Sequence, residues 1–493
     1  MKEQLSLEQI QSFQGKYPRQ LWYLFLTEMW ERFCFYGMRG MLTIFMVTQL
    51  FIKEDVANLQ YGAIQAFVYA FTFIGGLFAD KILGFRKSLL WGGLLMITGS
   101  FIIAAAPKDF FYIGTCFSII GTGFFKPNIS TMVGALYKEG DSRRDAGFGL
   151  FYSGINIGAM LGGLVCVYLG KFYSWNLAFG SAGIVMIIGL ILFLFTQRTL
   201  GPIGISPLKE MPAKKRKLIE YAVFIGSLLA IPVVRLMVTN TAYTDLFMYI
   251  VGPATLIYIF IEMKKYSASE RKKLIAALIF ILFSILFWAF FEQSGGSLSL
   301  FALYNLNDTV AGLHIDPNAV NNSSNSVFVI LFSPLIGILW VWLDNKNKEP
   351  NAIVKFGLSF LFLAASFFIF YACRFFADAS GKSSLTLFTI AYLVISLGEL
   401  CLSPIGLSLM TKLSPKPMWG VMMGMWFLAS AYGQYAAGIL GAGMSVVKEG
   451  ASLTEKLISY TEGYKQLAIY ALIGGVVLLI LTPVVKKLMQ DVK

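Results

Sequence analysis

An otherwise apolar stretch from about Leu21 to Phe51 carries two carboxylates and two guanidiniums, on Glu28, Glu31, Arg32 and Arg39. Each charge near a bilayer centre costs roughly 2.5–3.5 kcal/mol on insertion scales, so four of them belong against water or against one another. At helical spacing Glu28, Arg32, Tyr36 and Arg39 fall at i, i+4, i+8 and i+11 and share one stripe. Such a stripe is either the wall of a polar path or a static ion-pair lock. A lock that opens would be both.

Further charges lie in other apolar segments. Lys126 sits in Gly121-Thr-Gly-Phe-Phe-Lys-Pro-Asn128 beside a helix-breaking proline, and an ammonium there calls for a carboxylate such as Glu28 or Glu31. Tyr152 and Asn156, at i and i+4, put a phenol and a carboxamide on one helix face. Glu292 follows Trp288 by one turn, and Glu399 stands one turn before Ser403-Pro404. The first half thus supplies cations and the second supplies isolated acids. That polarity suits a zwitterion, its carboxylate toward Arg32, Arg39 and Lys126 and its ammonium toward Glu399. Tyr36, Tyr69, Trp288 and Trp426 are candidates to line side-chain pockets; core packing or lipid contact is the plainer role of each.

These residues need elements to hold them, and composition says which. Of 493 residues 57% are hydrophobic and only 14% charged, which excludes a soluble globular protein of this length. The apolar runs number fourteen, so the expected fold is an all-α polytopic membrane protein. Residues 198–217 combine glycines and prolines with the basic run Lys214-Lys215-Arg216-Lys217 and read as a cytoplasmic linker. The expected organisation is a six-helix bundle at 1–197, the linker, an inserted hairpin at 218–263 and a second six-helix bundle at 264–493.

The net charge of +13 does not call for nucleic acid. With both termini cytoplasmic, most Lys and Arg fall in cytoplasmic segments, while Arg32, Arg39, Lys126 and Arg235 lie within helices. The expected location is the inner (plasma) membrane, multi-pass, with lipid as a partner. No removable signal peptide is read at the N terminus. The five cysteines read as packing residues, without metal-binding spacing.

The motif Gly76-Leu77-Phe78-Ala79-Asp80-Lys81-Ile82-Leu83-Gly84-Phe85-Arg86-Lys87 resembles the loop signature of the major facilitator superfamily. In that reading Asp80 and Arg86 serve gating, because Asp80 meets Arg86 or a helix terminus only where the cytoplasmic side is shut. Five further motifs, taken in order, resemble the proton-dependent oligopeptide transporter family. They are Glu28-x-x-Glu31-Arg32-Phe-x-Phe-Tyr36-Gly, Phe-Phe-Lys126-Pro-Asn, Phe151-Tyr152-x-x-Ile-Asn156-x-Gly, Phe287-Trp288-x-x-Phe-Glu292-Gln and Gly-Glu399-x-x-x-Ser403-Pro-x-Gly-Leu-Ser. The resemblance implies a major facilitator fold of two six-helix bundles with two extra helices, and proton-driven import of di- and tripeptides.

Carried over by motif, it places Arg32, Arg39 and Lys126 at the substrate carboxylate, Glu399 at the amino end, and Asn156 and Asn325 along the peptide backbone. Glu292 is the proton-linked acid facing Arg39, with Glu28 and Glu31 as the other coupling acids. Phe35 stands where the family usually has a tyrosine, and Ser326 follows Asn325 where proline is common. No cofactor beyond a proton gradient, no metal and no obligate protein partner is called for. A transporter of another anion or of drug-like molecules is the rival; a purely anionic substrate gains nothing from a buried Glu399. An enzyme lacks support, since the one histidine, His314, falls in a probable loop and no HExxH or GxSxG spacing occurs.

Overall fold

The computed structural model describes residues 5–310, 312–402, 406–445 and 450–490. After a short amphipathic α1 (Leu7–Gln11), six long helices follow: α2 (Arg19–Thr48), α3 (Glu54–Phe78), α4 (Phe85–Ala105), α5 (Pro107–Ala135), α6 (Arg143–Phe172) and α7 (Trp175–Thr196). Then come α8 (Ala213–Thr239) and α9 (Thr241–Met263). The remainder is α10 (Ala268–Phe291), α11 (Ser297–Asn305), α12 (Pro317–Asp344), α13 (Ala352–Ala372), α14 (Leu385–Leu402), α15 (Gly406–Lys412), α16 (Trp419–Met444) and α17 (Leu453–Met489). A two-residue ribbon, Thr309–Val310 paired antiparallel with Leu313–His314, precedes α12.

Eleven described helical segments are long and apolar enough to cross a membrane. The helices α2, α5 and α16 are of similar length but more polar, and with them the fourteen spans expected from the sequence are all present. The charges of α2 explain why it falls short on apolarity. In α8, α9 and α12 only 17%, 17% and 11% of the apolar window is buried by protein, which leaves broad apolar faces uncovered by the described residues.

The chain forms two compact units. The first holds the described residues up to Leu42 together with Phe67–Thr239. Its helices pack through glycines: a Cβ on Gly92 of α4 would lie 2.5 Å from the Gly121 carbonyl oxygen of α5. Without a hydrophobic drive between helices in lipid, such close backbone approach is what holds them. The helix α8 belongs to this unit, where Lys87 Nζ donates to Glu220 at 2.6 Å and Trp91 Nε1 to Ser227 Oγ at 3.0 Å.

The second unit holds Thr43–Ala66 and the described residues from Asn240 onward. Its core is aromatic: the Phe370 ring lies 5.1 Å from Phe388 and 5.8 Å from Tyr464, centroid to centroid. The helix α9 belongs here, held by the Tyr435 hydroxyl donating to Asp245 at 2.6 Å and the Tyr432 hydroxyl donating to the Met248 carbonyl. The helices α8 and α9 therefore belong to different units. All five cysteines are free and buried.

Candidate substrate and proton site

In the first unit Arg32 is 1% exposed and Glu28 and Glu31 are as deeply buried. Arg32 Nε donates to Glu28 Oε1 at 2.8 Å and meets Glu31 Oε2 at 2.7 Å without the alignment of a hydrogen bond. One guanidinium thus balances two carboxylates. Glu28 Oε2, Glu31 Oε1 and Arg32 Nη2 make no hydrogen bond among the described residues, which leaves buried polar atoms that a ligand or a proton can satisfy.

Glycines seat this cluster. A Cβ on Gly158 of α6 would stand 2.9 Å from Arg32 Cβ, and one on Gly37 of α2 would stand 2.5 Å from Cys166 Sγ. Gly154, Gly158 and Gly162, four residues apart, form the smooth face on which α2 lies. Of the three only Gly158 belongs to a motif quoted above, and a small residue at every fourth position is the signal that marks the other two. Gly158→Leu is expected to lower stability by roughly 1–3 kcal/mol, the usual cost of overpacking. Thermal unfolding of the purified protein measures it, and an unchanged midpoint would refute the seating role.

Lys126 is half-buried, its ammonium 4.4 Å from the Tyr69 ring centroid, and it lies within electrostatic reach of Glu28 and Glu31. Tyr69 therefore supports the lysine by a cation–π contact. The Arg39 guanidinium lies 5.5 Å from the Tyr36 ring centroid, so the stripe keeps its i, i+3 neighbours in contact. Asn156 is buried and its amide donates to the Tyr152 carbonyl at 3.0 Å, within its own helix.

Asp80 and Arg86, expected to pair, are apart in this structure. Arg86 donates to the carbonyls of Ile203, at 2.7 Å, and Gly201, at 2.5 Å, while Asp80 is exposed; among the described residues the two make no ion pair. Gly84, at φ +76, is the turn that lets residues 201–206 dock here.

In the second unit the clearest finding is at Glu399, which is 9% exposed. Asn325 Nδ2 of α12 donates to Glu399 Oε2 at 2.8 Å and lies 3.1 Å from Ser396 Oγ, both on α14. Asn325 thus orients the acid, a contact no local pattern announces. Glu292 is 4% exposed and opens the tight turn Glu292–Gly295 that joins α10 to α11. Trp288, one turn earlier, has an indole N–H with no hydrogen bond among the described residues. Trp426 is buried. Ser403 lies outside the described residues. No group of three or more His, Cys, Asp or Glu among the described residues could hold a metal ion.

Long apolar helices that bury charge in mid-span define a multi-pass membrane transporter, and the comparisons name its fold. Residues 86–455 match the family model PTR2, the POT family. The peptide transporter YePEPT of Yersinia enterocolitica is 35% identical over 453 residues, 86% of this chain and 88% of the relative. A di-/tripeptide transporter of Lactococcus lactis is 33% identical over 97% of each chain. Among solved structures, a mutant of peptide transporter POT in complex with alafosfalin is 31% identical, with TM-score 0.84, over 99% of this chain and 100% of that one. The fold is that of the major facilitator transporters. The chain belongs to the POT family.

Proposed function

We propose that this chain is a proton-coupled symporter importing di- and tripeptides by alternating access, in the inner membrane with both termini cytoplasmic. The observation that carries the reading is where the intramembrane cations and the isolated acid Glu399 fall. One unit concentrates Arg32, Arg39 and Lys126, and the other presents Glu399 pre-oriented by Asn325. A dipeptide is a zwitterion, with an anionic end suited to the cations and a cationic end suited to Glu399. The relatives named for peptide transport support the same substrate class.

In this reading the substrate carboxylate is taken by Arg39 and Lys126, with Arg32 Nη2 as a further donor. Glu399 takes the ammonium, Asn156 and Asn325 flank the peptide backbone, and Tyr36, Tyr69, Tyr152, Trp288, Trp426 and Ser403 shape the pockets. Glu292 carries the coupled proton, with Glu28 and Glu31 as alternates. Asp80 and Arg86 act at the cytoplasmic gate, and residues 218–263 interrupt the halves 1–197 and 264–493. The basic clusters at Lys214–Lys217 and Arg271–Lys273 support the orientation.

Dialanine uptake into proteoliposomes tests the reading. An inward proton gradient is expected to drive accumulation above the outside concentration, and a protonophore to remove it. Uptake indifferent to the gradient would refute proton coupling, and no uptake of any di- or tripeptide would refute the substrate class.

A further inference from the structure

Residues 43–66 belong by chain order to the first half, yet they pack within the second unit. They are the ends of α2 and α3 around the first turn, on the membrane face opposite the N-terminal end of α2. Glu54, at the start of α3, accepts from Lys456 Nζ at 2.5 Å and from the Tyr460 hydroxyl at 2.6 Å. The Tyr460 hydroxyl lies 3.2 Å from Ser445 Oγ, which also accepts from Asn58 Nδ2 at 3.0 Å. Beside this network α3 and α16 meet backbone to backbone. A Cβ on Gly62 would stand 2.8 Å from Gly438 Cα, and one on Gly441 would stand 2.6 Å from Asn58 Oδ1.

The two halves of this seam have opposite physical character, and the combination suits a contact that closes and parts. Glycine faces lie flush without interlocking side chains, so separating them requires no rotamer change. The ion pair at the rim retains 14% and 19% side-chain exposure, so water can replace each partner when it parts.

We propose that Glu54, Lys456 and Tyr460, with the Gly62–Gly438 seam, form a releasable latch that seals this membrane face and must break once per transport cycle. The inference rests on the alternating-access reading and adds to it the element that holds one face shut. Glu54 then sets the population of the closed state, and weakening the latch exposes the seam without touching the peptide-binding residues.

A cysteine reporter at the seam tests this. Ser445→Cys is nearly isosteric and Ser445 is 6% exposed, and the native cysteines are buried. In proteoliposomes a membrane-impermeant maleimide should label Ser445→Cys slowly. Adding Glu54→Gln should raise the rate about tenfold, a population shift within reach of one lost contact. Gly62→Leu should do the same by wedging the seam. The exchange Glu54→Lys with Lys456→Glu should return the rate to within about threefold of the reporter alone, because it restores the pair. Unchanged labelling in both Glu54→Gln and Gly62→Leu, or no rescue by the exchange, overturns the latch. Dialanine uptake by the reporter chain separates the two ideas. Uptake with unresponsive labelling removes the latch and keeps the transport reading; responsive labelling with no uptake of any peptide does the reverse.

Discussion

Glu399→Gln is expected to weaken binding of dialanine about 10- to 100-fold while leaving N-acetylated dialanine nearly unchanged. A charge-assisted hydrogen bond is worth roughly 1.5–3 kcal/mol, and about 1.4 kcal/mol is a factor of ten. The structure sharpens the expectation. Asn325 Nδ2 donates to Glu399 Oε2, and a glutamine that keeps this bond with its oxygen turns its own amide N–H toward the ligand ammonium. The substitution then replaces attraction with donor-to-donor opposition. Competition against labelled dialanine uptake measures both ligands in one assay. Equal loss for the free and the acetylated peptide would remove Glu399 from the amino end.

Glu292→Gln is expected to abolish proton-driven accumulation and to preserve peptide counterflow. The only histidine, His314, is exposed in the ribbon before α12, so coupling inside the membrane falls to carboxylates. A carboxylate has a reference pKa of about 4.3 and takes up protons near neutrality only where its surroundings favour the neutral form. Glutamine reproduces the shape of a protonated glutamate and cannot titrate. Exchange of labelled for unlabelled dialanine across the membrane needs no net proton movement, so it should survive. Accumulation against a gradient in Glu292→Gln would pass the role to Glu28 or Glu31. Those two share one guanidinium, and for them the matching substitution carries a separate cost, because breaking a buried ion pair by removing one partner destabilises by about 3–5 kcal/mol.

Much of this was legible in the sequence, for a physical reason that particular residues make clear. Four charges within α2 cannot face lipid, so their spacing alone placed Glu28, Arg32, Tyr36 and Arg39 on one stripe, and runs of apolar residues long enough to span a bilayer gave the helices. The same reasoning left two roles open for the stripe, polar wall or lock. The structure pairs Arg32 with both glutamates and sets Arg39 against the Tyr36 ring.

What periodicity could not supply was which distant residue each side chain meets. Asn325 and Glu399 are 74 positions apart, Arg86 and Ile203 are 117 apart, and Glu54 and Lys456 are 402 apart. Helical spacing fixes neighbours within a turn or two, and beyond that only the packing of one helix on another decides. So Arg86 reaches the linker carbonyls and not Asp80, Tyr69 supports Lys126, and residues 43–66 join the second unit. The sequence by itself determined a membrane chain with buried charges of opposite sign in its two halves, because the bilayer penalises any other placement of those residue types. Tertiary structure decided which distant residues meet, because in lipid the close approach of glycine-lined helices sets which polar groups of different helices come within reach.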